Sequence, residues 1–124
     1  MGENQAMEKS VLIVDDHPSF RASARRMLEA DGYEVVGEAE DGGAALTAAE
    51  RLRPDLVLLD VRLPDIDGFE IARRLLDAND RTPQIVLISS HDSIDLGEAI
   101  SASGARGFIP KSELSAEAIT SLIR

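Results

Sequence analysis

The stretch Leu56-Val57-Leu58-Leu59-Asp60, running on through Val61-Arg62-Leu63-Pro64-Asp65-Ile66-Asp67-Gly68, decides the architecture. Four consecutive apolar residues are too few for a helix and show no polar alternation. They read as a strand buried on both faces, the habit of a parallel sheet covered on both sides. The run ends in an acid and opens a loop whose proline and glycine fix a definite turn. Working outward, short apolar runs recur at residues 11–14, 35–36, 85–88 and 108–109. Between them lie stretches of helical period, each with one apolar stripe: Phe20, Ala24, Met27 and Leu28, then Ala45, Ala49 and Leu52, then Ala72, Leu75 and Leu76. Pro18 suits a first helical turn, Gly32 a C-terminal cap, and Ser115 an N-cap with Leu114 and Ile119 as its hydrophobic staple. Strands alternating with helices imply right-handed crossovers and a five-stranded, doubly wound (βα)5 domain of the α/β class.

Composition bounds the rest. A chain of 124 residues holds one domain. Residues 1–9 are polar and aperiodic and read as a flexible lead-in, so the domain spans 10–124. With 44% hydrophobic residues and only four aromatics (Phe20, Tyr33, Phe69 and Phe108), the expected core is aliphatic and the protein soluble and globular. The absence of cysteine excludes a disulfide scaffold, a cysteine zinc site and a thiol nucleophile. No apolar run is long enough to cross a membrane, and no secretory leader is visible, which points to the cytoplasm. Thirteen Lys and Arg against 23 Asp and Glu leave a net charge of −10, which repels phosphate backbones and argues against direct nucleic-acid binding.

In an open α/β sheet, ligands bind beyond the carboxyl ends of the strands, where strand order reverses. The first strand ends in Asp15 and Asp16, the third in Asp60, the fourth in Ser89 and Ser90, and the fifth in Pro110 and Lys111. In the order 2-1-3-4-5, strands 1 and 3 are neighbours, which brings Asp15, Asp16 and Asp60 into one cluster. Two carboxylates about 4 Å apart repel by roughly 4 kcal/mol at an effective dielectric near 20. Either some of the acids are protonated or a divalent cation binds, and an all-oxygen site suits Mg2+ or Mn2+. Lys111 adds a charge able to hold a phosphate oxygen. A carboxylate beside a metal and a lysine is a plausible nucleophile toward phosphorus, and Asp60 is the best placed to attack.

These residues resemble the receiver domain of two-component response regulators, the CheY-like family. The resemblance is carried by Val11-Leu12-Ile13-Val14-Asp15-Asp16, by Asp60 followed by Pro64 and Asp67-Gly68, by Ser89 after four apolar residues, and by Lys111 closing the last strand. It covers the chain from about residue 10 to its end. It implies a flavodoxin-like, three-layer sandwich, and the order 2-1-3-4-5 rests partly on it. It further implies that Asp60 is the phosphoacceptor for a sensor histidine kinase, with Mg2+ or Mn2+ held by Asp16 and Asp60, by the Arg62 backbone carbonyl and by Asp15 through water. Ser89 and Lys111 would each bind a phosphoryl oxygen, and Phe108 would be the aromatic switch that turns inward with Ser89. New contacts worth about 3 kcal/mol would shift such a switch roughly a hundredfold.

The wording around Asp60 and Gly107-Phe108-Ile109-Pro110-Lys111 is similar to receivers that precede LuxR-type helix-turn-helix domains. No such domain lies within these residues, so the expectation is a receiver excised from a longer protein or standing alone. Its partners would be a kinase and an output domain or downstream protein, with room for a homodimer. It departs from the common pattern in having Ser112 after the lysine, where many members have proline, and Ser90 where alanine is frequent. Arg62 and His91 occupy the two positions that tend to tune phosphoryl lifetime. The expected role is a phosphoacceptor and not an enzyme with a separate substrate.

Each residue also has a plainer reading. Asp15 or Asp16 can cap the first helix, Ser89 and Lys111 can be ordinary strand-end residues, and His17 and His91 can be loop or surface residues. An aspartyl phosphatase wants an acid where Arg62 stands, and a flavin or nucleotide carrier wants a glycine- or hydroxyl-rich loop where Asp15-Asp16-His17-Pro18 stands. The alternative is a pseudo-receiver that binds partners without being phosphorylated.

Overall fold

A computed structural model describes residues 9–77, 82–90 and 97–124. Five strands, β1 (Ser10–Val14), β2 (Glu34–Ala39), β3 (Leu56–Asp60), β4 (Gln84–Ser89) and β5 (Gly107–Pro110), form one parallel sheet in the order β2-β1-β3-β4-β5. The helices are α1 (Pro18–Ala30), α2 (Gly42–Leu52), α3 (Gly68–Asp77), α4 (Gly97–Ser103) and α5 (Ala116–Ile123). The fold class and strand order expected from the sequence are those observed.

Strand alternation divides the core in two. Leu12, Val14, Val57, Leu59, Ile85 and Leu87 point to one face and pack against Ala45 and Ala49 of α2 and Ile71, Ala72 and Leu75 of α3. Their neighbours Val11, Ile13, Leu56, Leu58, Val86 and Ile88 point to the other, against Ala24 and Leu28 of α1 and Ile119 and Ile123 of α5. The runs 11–14, 56–59 and 85–88 are therefore apolar at every position, because both faces of these strands are covered. The buried hydrophobic residues are all aliphatic, and the four aromatics pack at the margins.

The helix ends follow the sequence signals at several points. Pro18 opens α1, and Gly32 follows it at φ +94°, a conformation that costs glycine little. Ser115 Oγ accepts the Ala118 N–H at 3.0 Å, and Leu114 joins the cluster that holds Ile119. The N-cap of α1, however, is His17, whose side chain makes no capping bond. The capping reading of Asp15 and Asp16 is therefore set aside. Strand β2 extends well beyond Val35 and Val36, with an irregular register opposite Val11 and Leu12. As an edge strand it carries Glu38, which accepts from Arg21 at 3.0 Å and Arg25 at 2.8 Å of α1. The Tyr33 hydroxyl, just before β2, pairs with Thr120 Oγ1 of α5 at 2.6 Å.

Candidate functional site

Sheet register assembles the site. Val14 of β1 lies opposite Leu59 of β3, so the next residue on each strand, Asp15 and Asp60, emerge side by side. Asp60 pairs with Ile88 of β4, and Ser89 with Pro110 of β5, which puts Ser89 and Lys111 at the same carboxyl edge. Asp15 is 0% exposed, Asp60 4% and Ser89 1%, while Ser90 is exposed. Lys111 reaches back across this edge, its Nζ 2.6 Å from Asp15 Oδ2 and 3.2 Å from Asp60 Oδ2. Its ammonium also lies 4.5 Å from the Phe20 ring centroid, a cation–π contact that helps hold the side chain in place.

Asp15 Oδ2 is fully buried, and the Lys111 ammonium at 2.6 Å is the charge that faces it. Such an atom is costly unless a charge compensates it. Asp15 Oδ1 accepts the His17 backbone N–H at 2.8 Å and faces His17 Nδ1 at 3.0 Å. Asp60 Oδ1 accepts the Arg62 N–H at 3.0 Å. Asp16 is exposed, with Oδ1 3.1 Å from His17 Nδ1.

Burial is the largest influence on all three central groups, and the outcome differs. For Asp15, the Lys111 ammonium and the His17 amide outweigh burial and hold the carboxyl below the usual carboxylate range. For Asp60, burial prevails with help from the neighbouring Asp15 charge, and the carboxyl sits above its ordinary value despite the Arg62 amide and Lys111. Burial works to lower Lys111, but the two carboxylates keep it raised, so it stays charged. The pair of acids with one lysine thus carries an excess negative charge in a buried place.

That excess is what a divalent cation would neutralise. Ligand atoms of Asp15, Asp16, His17 and Asp60 all lie within 4.8 Å of one another. The carboxylate set, with its excess negative charge, fits a hard cation such as Mg2+ or Mn2+. His17, expected as a loop or surface residue, is exposed at the N-cap of the first helix, and its ring also lies beside the Asp15 and Asp16 carboxylates.

The loop after Asp60 is anchored at two places. Gly68 N–H donates to Val61 O at 2.9 Å, and a Cβ at Gly68 would lie 2.4 Å from the Asp60 carbonyl oxygen and 2.7 Å from Val61 Cα. Only glycine lets α3 start this close to the strand end. Farther along, the Asp65 carboxylate accepts the Gly42 N–H at 2.7 Å and the Gly43 N–H at 2.9 Å, at the positive end of α2. Asp67 Oδ1 accepts the Glu70 N–H at 2.9 Å in the first turn of α3. Among the other expected residues, Phe108 lies opposite Leu87 on β5 and is partly buried against the α2–α3 side of the core. Arg62 is exposed and touches Asp60 through its amide. His91 lies outside the described residues.

A family model described as the response regulator receiver domain matches residues 11–124. The transcriptional regulatory protein PdtaR of Mycobacterium tuberculosis is 38% identical over 106 residues, covering 86% of this chain and 51% of PdtaR. The chain spans about half the length of the curated relatives it matches. Among solved structures, the signal receiver domain of the response regulator NarL from Mycobacterium tuberculosis superposes with TM-score 0.84 at 34% identity, covering 94% of each chain. The BeF3-activated N-terminal receiver domain of Klebsiella pneumoniae RstA superposes with TM-score 0.80 at 31% identity, covering 91% of this chain and 94% of that one.

Proposed function

Because the chain belongs to the response regulator receiver family of two-component signalling, a family of signalling domains, we propose that Asp60 is its phosphoacceptor. The observation that carries this reading is the Lys111 ammonium, 2.6 Å from Asp15 and 3.2 Å from Asp60 at the buried carboxyl edge of the sheet. The donor is the phosphohistidine of a sensor histidine kinase. An Asp60 carboxylate oxygen attacks phosphorus, the O–P bond forms as the P–N bond breaks, and the electron pair of that bond stays on the imidazole nitrogen. The Arg62 amide fixes the rotation of the Asp60 carboxylate, and Lys111 offers its charge to a phosphoryl oxygen. Mg2+ or Mn2+, held by Asp15, Asp16, Asp60 and the Arg62 carbonyl, supplies charge neutralisation for the phosphoryl oxygens when bound.

Once the phosphoryl group is in place, Lys111 shares its charge with a new partner and Ser89 donates to a second phosphoryl oxygen. Ser89 pairs with Pro110 on β5, the strand that carries Phe108, so a shift at Ser89 reaches that ring through one strand pair. Residues 10–124 act as the receiver and residues 1–9 as a lead-in. The conformational signal passes to an output domain or downstream protein, or to a homodimer. The relatives that are transcriptional regulators support an output in transcription.

The test is incubation with Mg2+ and acetyl phosphate, read by intact mass. A single phosphoryl adduct is expected, absent without a divalent cation and absent in Asp60→Ala. No adduct under any condition favours the non-phosphorylated, partner-binding alternative, and an adduct that survives Asp60→Ala refutes the assignment.

A further inference from the structure

We propose that His17 is a nitrogen ligand of the cation bound beside Asp15, Asp16 and Asp60, so that this site prefers Mn2+ and the later transition ions to Mg2+. The inference deepens the reading above and rests on its cation site. Its ground is geometric. His17 Nδ1 lies 3.0 Å from Asp15 Oδ1 and 3.1 Å from Asp16 Oδ1. Adjacent ligands of an octahedral ion with bonds of about 2.1 Å are separated by roughly 3.0 Å. The three atoms thus already have the spacing of neighbouring ligands around one ion. The spread of 4.8 Å across all four residues needs only a small closure.

The ring does not reach this place by chance of rotamer alone. The His17 backbone is bonded to Asp15 Oδ1 through its N–H at 2.8 Å, and Pro18 begins α1 immediately after it. The backbone of His17 is thus fixed beside the Asp15 carboxylate. The ring is also 65% exposed, so a change from hydrogen-bond donor to metal ligand carries little desolvation. In its Nε2–H tautomer the imidazole presents the Nδ1 lone pair. On the opposite side of the cluster, Lys111 Nζ holds Asp15 Oδ2 at 2.6 Å, which leaves Asp15 Oδ1 as the oxygen turned toward His17.

The donor set sets the preference. Carboxylates alone suit Mg2+, which binds oxygen and parts reluctantly with water. An imidazole among them raises the affinity for transition ions over Mg2+, least for Mn2+ and more for Co2+, Ni2+ and Zn2+. His17 is then a specificity residue for the metal that accompanies phosphoryl transfer.

The test reads the metal and not the transfer reaction. Mn2+ is titrated into the metal-free chain and pulsed electron paramagnetic resonance measures nitrogen coupling to the bound ion. Wild type is expected to show imidazole nitrogen coupling that moves to the 15N pattern when histidine is 15N-labelled. His17→Ala, checked for fold by circular dichroism, is expected to lose it. His17→Ala is also expected to weaken Mn2+ and Ni2+ on the order of tenfold, and Mg2+ by distinctly less. Bound Mn2+ without nitrogen coupling, coupling that survives His17→Ala, or equal losses for all three ions overturn the inference and leave the phosphoacceptor reading standing. Failure of every divalent ion to bind wild type overturns both.

Discussion

Lys111→Met removes a cation that touches both buried carboxylates, and its cost can be worked from their spacing. At 2.6 Å and 3.2 Å the ammonium attracts Asp15 and Asp60 by about 5 to 6 kcal/mol each at an effective dielectric near 20. Much of that offsets desolvation, and removing one member of a buried ionic set typically costs about 3 to 5 kcal/mol. Asp60 is already pushed upward by burial and can take a proton, which relieves part of the strain. The expected loss at pH 7 is therefore about 3 kcal/mol, equivalent to a fall in Tm on the order of 10 °C for a domain of this size.

The sign of the pH dependence follows. Without Lys111 both carboxyls rise, and a group whose pKa is raised in the folded state favours the fold at low pH and opposes it as pH increases. The deficit of the variant relative to wild type should narrow from pH 7 toward about pH 5. Added Mg2+ should also stabilise the variant more than wild type, because it no longer competes with the ammonium. Urea unfolding followed by far-ultraviolet circular dichroism at pH 5, 6 and 7, with and without Mg2+, measures all three effects. A loss below about 1 kcal/mol, the scale of an exposed ion pair, or a loss that does not change with pH, would refute the account of Lys111 as the counter-charge of this pocket.

Three other perturbations report on different parts of the fold. Gly68→Ala sets a methyl against the Asp60 carbonyl and the Val61 Cα, so it should cost about 1 to 3 kcal/mol and slow phosphorylation by displacing the strand end; unchanged thermal unfolding would count against that contact. Asp65→Ala should raise amide exchange at Gly42 and Gly43 above that elsewhere in α2, measured by hydrogen–deuterium exchange, since both N–H groups lose their acceptor. Glu38 is held below its usual range first by Arg25, then by Arg21, so its contribution is present above the ordinary carboxylate pKa and lost as pH falls through the folded value. Glu38→Gln should flatten the acid limb of the stability curve, by no more than about 1 kcal/mol for so open a network, and an unchanged limb would contradict it.

The central strands were legible because both of their faces are buried. Residues 11–14, 56–59 and 85–88 contain only apolar side chains, a pattern that polar alternation cannot produce. Strand β2 was only partly legible, since Gly37 and Glu38 serve an edge where one side meets Arg21 and Arg25. Helix α4 left no apolar stripe to read. It is short, and its buried Ser103 satisfies itself by donating to Ile100 O at 2.7 Å. In the site, Asp15, Asp60 and Lys111 stood out because each closes a strand. His17 did not, because a histidine in a loop has no periodic context and its closeness to two carboxylates is a matter of turn geometry. The grip of Asp65 on α2 was equally hidden, since its partners are 22 and 23 residues away.

The bond between Tyr33 and Thr120 has a practical consequence. The chain has no tryptophan and a single tyrosine, so its intrinsic fluorescence comes from one ring. That ring stands at the opposite end of β2 from the acidic cluster, roughly 20 Å away for a six-residue strand, too far for a cation or phosphoryl group to quench it directly. Any change in tyrosine emission on phosphorylation would then signal that α5 has moved against its hydroxyl. The molecule carries a native optical reporter at the far end from its chemistry, one that sees propagation and is blind to binding.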